Sequence, residues 1–204
     1  MPSTRAVLLV AVAAAIAGAA ASLFFQPGIA IRLAGTGAGQ QVLDAALKAK
    51  APAPPAGVIV AERGDIVPTM TLPDSNGAQT AIPAAWAGHA TLVNLWATWC
   101  APCLAEMPEL DAFARDQGSN GMQVVGIALD DAYAVRQFLQ AHGIGYPSLV
   151  DAPGPADAGV RLGNPAGVLP YSVLVAADGR ILKTRIGPFA DKAEIAAWAS
   201  SQPL

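Results

Sequence analysis

The sequence predicts an α/β domain built on a central mixed sheet with helices on both faces, preceded by an N-terminal transmembrane helix. Three observations predict it. Short β-rich apolar runs alternate with amphipathic stretches from residue 63 onward. Two turn signals, Asn76-Gly77 and Asp178-Gly179, sit between paired β-rich runs. The third is an excess of hydrophobic residues, 53% of the 204, beside only 13% charged. Much of that excess lies near the N-terminus, where no charge occurs between Arg5 and Arg32.

This composition also excludes several classes. A chain this apolar is not disordered throughout. Two cysteines are too few for a disulfide-stapled miniprotein. A net charge of -3 offers no basic surplus for nucleic acid, so none is expected as a partner.

The run Ala6–Phe25 is twenty residues of mostly Ala, Val, Leu, Ile and Phe, and as a helix it would rise about 30 Å, the thickness of a bilayer core. Residues 1–25 are therefore read as a membrane anchor. A cleaved signal peptide is the competing reading, since Ala19-Ala20-Ala21 fits a cleavage site and Arg5 supplies a positive start. Either reading exports the rest of the chain. Residues 26–62 are rich in Pro, Gly and Ala and read as a tether, with a short helix over Gln40–Lys50 and an extended APAPPAG stretch. Residues 63–204 form the domain.

Within it, Thr69–Leu72 and Gln79–Ile82 flank Asn76-Gly77 as a hairpin. Thr91–Ala97 and Met122–Leu129 are short, mostly apolar, β-rich runs and read as buried strands. Between them, Pro102–Gln117 reads as a helix stopped by Gly118. Asp131 caps a helix running to His142. Tyr171–Ala176 and Arg180–Ile186 form a second hairpin, and Asp191 caps a last helix carrying Ile195 and Trp198. Trp96 is assigned to the core.

Both cysteines fall in one motif, Trp99-Cys100-Ala101-Pro102-Cys103, where a buried strand gives way to a helix. Two intervening residues on a helical turn bring the sulfurs within bonding reach. The helix N-terminus favours the thiolate, which is the reactive form. Pro102 suits a first turn, where its missing N–H costs nothing. Cys100 is expected to be the exposed attacking thiolate and Cys103 the buried resolving thiol, with exchange through a mixed disulfide on Cys100. A structural zinc site would need four ligands, and only His89 and His142 could add to the pair, so no metal is expected. A purely structural disulfide would close too short a loop to stabilise much.

The segment Gly88–Pro108, GHATLVNLWATWCAPCLAEMP, resembles the active-site segment of the TlpA/ResA-like redoxins, which are thiol-disulfide oxidoreductases anchored to or exported across bacterial membranes. Gly64-Asp65 through Pro68, and Leu169-Pro170-Tyr171 continuing into SVLVAADGRI, extend the resemblance over about residues 63–204. The resemblance implies a thioredoxin-like fold with no bound cofactor. It implies a cis bond before Pro170, with that proline facing the cysteines and the Leu169 backbone pairing with an extended substrate segment. Trp99 would cover the rim of the site. Pro147 and Pro165 are the rival cis prolines.

Thioredoxins carry a buried Asp in the strand before the motif, and the matching position here is Asn94, which cannot titrate. Glu106 lies three residues after Cys103, on the same helical face, where the family carries a functional glutamate. It is expected to take the proton from Cys103 during resolution. Leu104 stands where relatives often have Lys or Arg.

The resemblance further implies reduction of disulfides in exported proteins, in cytochrome c maturation or oxidase assembly, with electrons from a DsbD/CcdA-type membrane donor. The alternative is a thioredoxin-like copper metallochaperone, since soft thiolates suit Cu(I). A peroxidase would need Thr where Ala97 stands.

Overall fold

The computed structural model describes residues 37–118 and 121–201. The expected membrane segment lies outside them, and among the described residues no helix is long and apolar enough to cross a membrane. The chain divides into two compact units, residues 1–45 and 46–204. Helix α1 (Gly37–Lys48) begins and ends slightly earlier than expected and buries none of its residues. The stretch 52–60 forms neither helix nor strand.

Strands β1 (Met70–Pro73) and β2 (Gln79–Ile82) pair antiparallel. The turn between them is built by Asp74, whose Oδ1 accepts from Asn76 N at 2.8 Å and Ala78 N at 2.9 Å. Gly77 supplies the positive φ of 92° that this turn requires. A 3₁₀ turn, Ala84–Trp86, leads to the main sheet.

That sheet contains β3 (Thr91–Trp96), β4 (Gln123–Leu129), β5 (Ser148–Asp151), β6 (Tyr171–Val175) and β7 (Ile181–Ile186). Their order is β5-β4-β3-β6-β7. Strands β3, β4 and β5 run parallel, whereas β6 and β7 join antiparallel, so the sheet is mixed as expected. Helices α2 (Ala101–Gln117), α3 (Ala132–His142), α4 (Ala158–Arg161) and α5 (Lys192–Ser200) complete the order.

The helices are divided unevenly between the faces. Met107, Leu110 and Phe113 of α2, Val135 of α3 and Ile195 of α5 share one cluster with Leu92 and Trp96 of β3. The alternate residues Val93 and Leu95 enter the opposite cluster with Ile82, Trp86, Ala158 and Leu162. One face thus carries three helices, and the other carries the β1–β2 hairpin, the 3₁₀ turn and the one-turn α4. The reason is handedness: β3-α2-β4 and β4-α3-β5 are parallel crossovers in the same direction, and right-handed crossovers then place both helices on the same face.

Strand β5 and helix α4 were not expected. β5 has four residues and is preceded by Gly143, Gly145 and Pro147, which read as loop. It pairs with β4 only from Gly126 onward. Helix α4 is a single turn capped by Asp157, whose Oδ1 accepts from Val160 N at 2.9 Å.

Candidate active site

The site forms where β3 ends. Residues 91–97 are buried without interruption, so the chain leaves the sheet from a rigid strand before turning into α2. The turn, Thr98-Trp99, is held by Asp130, the residue that follows β4. Asp130 Oδ2 accepts from Thr98 N at 2.9 Å and from Thr98 Oγ1 at 2.5 Å, while its Oδ1 accepts from Asp131 N at 2.8 Å. Partial burial would raise the Asp130 carboxyl, but these hydrogen bonds outweigh it and hold the group below the ordinary aspartate value.

Cys100 is the N-cap of α2, and Cys103 N donates to its Sγ at 3.3 Å. The structure joins Cys100 and Cys103 in a disulfide. Cys103 is 0% exposed and Cys100 only 5%. Cys100 is thus less open than expected, because in this oxidised form the bond turns its sulfur toward Cys103. When the bond is reduced, the same helix N-terminus and the Cys103 N–H are placed to favour a Cys100 thiolate. Trp99, 67% exposed, projects from the surface beside the pair, and Trp96 is fully buried. Leu104 packs against the cluster that contains both cysteines.

Pro170 precedes β6, and Tyr171 of β6 stands opposite Leu95 of β3, so Pro170 lies at the same end of the sheet as the cysteines. The Leu169–Pro170 bond is cis. Leu169 packs against the cysteine-containing cluster. Neither Pro147 nor Pro165 is cis, and a second cis bond precedes Pro83.

Glu106, one turn beyond Cys103, is 1% exposed. Its Oε1 accepts from Asn94 Nδ2 at 2.8 Å, and its Oε2 accepts from Phe189 N at 2.8 Å. Asn94 also donates to Ser172 Oγ at 3.2 Å, linking β3 to β6. Burial pushes the Glu106 carboxyl up from 4.5 to about 7, although the two hydrogen bonds and the Arg185 charge oppose the rise. This buried acid titrates near neutrality on the helix that carries the cysteines. Phe189, Arg185, Ser172 and the Asp130–Thr98 contact were not picked out from the sequence. Only Asp130 left a local signal, an acid placed at the end of an apolar strand.

A cavity of about 530 Å³ opens at the other end of the sheet, among Trp86, Arg115, Gln123 and Tyr146. Trp99, Cys100, Cys103, Glu106, Leu169 and Pro170 do not line it. Among the described residues no group of three or more His, Cys, Asp or Glu is arranged to hold a metal ion.

Comparison with known proteins agrees with this geometry. The chain is 26% identical over 125 residues to the thiol-disulfide oxidoreductase ResA of Bacillus subtilis, covering 61% of this chain and 67% of ResA. It is 28% identical over 105 residues to the sporulation thiol-disulfide oxidoreductase A of Bacillus subtilis, covering 50% of this chain and 61% of that protein. A solved thiol:disulfide interchange protein of the thioredoxin family from Chlorobium tepidum superposes with a TM-score of 0.55 at 26% identity, covering 68% of this chain and 96% of the other. The redoxin family profile matches residues 62–198, which hold the sheet, the cysteine pair, Glu106 and Pro170. On that match the chain belongs to the redoxin family, as a TlpA/ResA-like member with a thioredoxin-like fold.

Proposed function

We propose that the chain is a protein-disulfide oxidoreductase that works outside the cytoplasm as a reductase of disulfides in exported proteins. The observation that carries the reading is the Cys100–Cys103 disulfide at the N-terminus of α2, with a buried carboxyl one turn beyond it.

The reduced dithiol runs the reaction in two displacements. The Cys100 thiolate attacks one sulfur of the substrate disulfide, forming a Cys100–substrate bond and releasing the other substrate sulfur as a thiolate. Cys103 then passes its proton to the Glu106 carboxylate, and the resulting thiolate attacks Cys100 Sγ. This forms the Cys100–Cys103 bond and releases the second substrate thiolate. Two electrons pass from the protein to the substrate. Trp99 and the Leu169–Pro170 backbone serve as the substrate's docking edge, the role that residues at these positions have in the resemblance.

Direction and setting belong to the same proposal. The apolar run 6–25 anchors or exports the chain, which places the domain in the periplasm. A reductase there needs a steady electron supply, which a DsbD/CcdA-type membrane carrier would provide. Cytochrome c maturation and oxidase assembly are the client pathways that the TlpA/ResA resemblance suggests.

Equilibrating the pair against redox buffers tests the direction. A reduction potential near the roughly −270 mV of thioredoxin is the expected result. A value near the roughly −120 mV of the strong oxidant DsbA would reject the reductase.

A further inference from the structure

Arg185 is a buried cation that the exchange reaction does not use. It sits on β7, 8% exposed, directly opposite Ser172 of β6 in the sheet register. Its Nη2 donates to Pro188 O at 2.9 Å and to Glu194 Oε1 of α5 at 2.8 Å. Its guanidinium carbon lies 4.4 Å from the centroid of the Phe189 ring. It therefore holds the carbonyl before Phe189 and the ring of Phe189 itself.

Between these two contacts is the Phe189 N–H, which donates to Glu106 Oε2. Glu194 holds the other end of the loop, its Oε2 accepting from Ala190 N at 2.6 Å. The start of the loop is tied to the docking edge, since Gly187 N donates to Pro170 O at 3.0 Å. One short loop, residues 187–190, thus links the cis proline to the buried acid, with the Arg185–Glu194 pair fixing its shape.

We propose that Arg185 is the positioning residue for Glu106: it presents the Phe189 N–H to the carboxylate and supplies a positive field, which Glu194 counterbalances. The proposal rests on the reading that Glu106 takes the Cys103 proton. The groups that bear on Glu106 are Arg185 from β7, Glu194 from α5, Asn94 from β3 and the Phe189 N–H; Tyr146, in the loop before β5, feels the Glu106 charge in return. Cys103 shares its helix. Arg185 lowers the Glu106 proton affinity and Glu194 raises it, so the two halves of one ion pair act in opposite directions.

That opposition separates positioning from a merely structural ion pair. If the pair only braced the loop, removing either half would loosen the Phe189 contact and move Glu106 the same way. The test measures the rate of mixed-disulfide resolution against pH in the full chain. Arg185→Met is expected to move the inflection up by about one pH unit, which lowers the ionised fraction at pH 7 roughly fivefold. Glu194→Gln is expected to move it down. If Arg185→Met does not fold, Arg185→Lys replaces it: an ammonium keeps the charge but not the planar grip on Pro188 O and Glu194 Oε1, so the inflection is expected to move up, and an unmoved inflection overturns the proposal. Shifts in the same direction, or no shift, overturn the proposal. Glu106→Gln, measured alongside, distinguishes the two failures. An inflection that survives in Glu106→Gln defeats the reading of Glu106 as the base. An inflection that Glu106→Gln abolishes, but that the other two variants leave in place, defeats only the role of Arg185.

Discussion

A Cys103→Ala protein mixed with a disulfide-containing peptide is expected to stop at the mixed disulfide and accumulate as a covalent adduct on Cys100. The expectation comes from the order of the two displacements. Cys100 caps α2 beside the exposed Trp99, whereas Cys103 is wholly enclosed. With Cys103 replaced, nothing within reach can attack Cys100 Sγ, and the adduct persists until an external thiol arrives. The complementary Cys100→Ala protein should form no adduct, because its remaining thiol has no access to substrate. Its turnover should fall about 10³-fold or more, as expected when the nucleophile of a covalent mechanism is removed. Non-reducing electrophoresis with peptide mass analysis checks both outcomes. Comparable adducts on the two single variants would remove the division of labour between the cysteines.

The second large effect concerns Glu106. In the wild-type protein, resolution of the mixed disulfide should slow about tenfold per pH unit as pH falls below about 7, because the protonated carboxyl cannot accept the Cys103 proton. Glu106→Gln should lose this inflection. The same group also leaves a mark on stability. Glu106 titrates at its ordinary 4.5 in the unfolded chain and near 7 in the folded one. Between those values the folded state binds the extra proton. Its contribution is therefore fully present below pH 4.5 and is lost as pH rises through 7. Burying the charge above pH 7 costs about 3 kcal/mol, from a displacement of about 2.5 units. Urea unfolding of the oxidised protein should show this loss between pH 4.5 and 8 for the wild type relative to Glu106→Gln. Parallel curves for the two proteins would mean that the carboxyl is not held protonated by burial.

The sequence and the structure agree most closely where local signals are strong. The strands around Trp96 and Ile127 were legible because short, mostly apolar, β-rich runs leave little choice of state, and the caps at Asp131 and Asp191 because an acid precedes each helical run. The cysteine pair was legible for the same local reason, since its spacing and its place at a strand–helix junction are both written in a few residues. β5 was not, because four residues among glycines and prolines become a strand only through pairing with β4. The electrostatics of the site were legible only in part. Glu106 could be named from its spacing to Cys103 together with the TlpA/ResA resemblance. Its upward displacement depends on being enclosed by β3 and by the loop 187–190, and that enclosure is long-range. Arg185 reads in sequence as an ordinary cation in an amphipathic strand, and only the fold reveals its grip on Pro188, Phe189 and Glu194.

In the proposed reaction this protein hands two electrons from Cys100 and Cys103 to a disulfide in another polypeptide. The direct measurement mixes the reduced full chain with an equivalent of disulfide-containing peptide without oxygen, quenches with acid and weighs both species. The expected result is a peptide that gains two hydrogens while the protein loses two, with the new bond mapped to Cys100–Cys103. Peptide that keeps its disulfide beside a protein that keeps both thiols would contradict it.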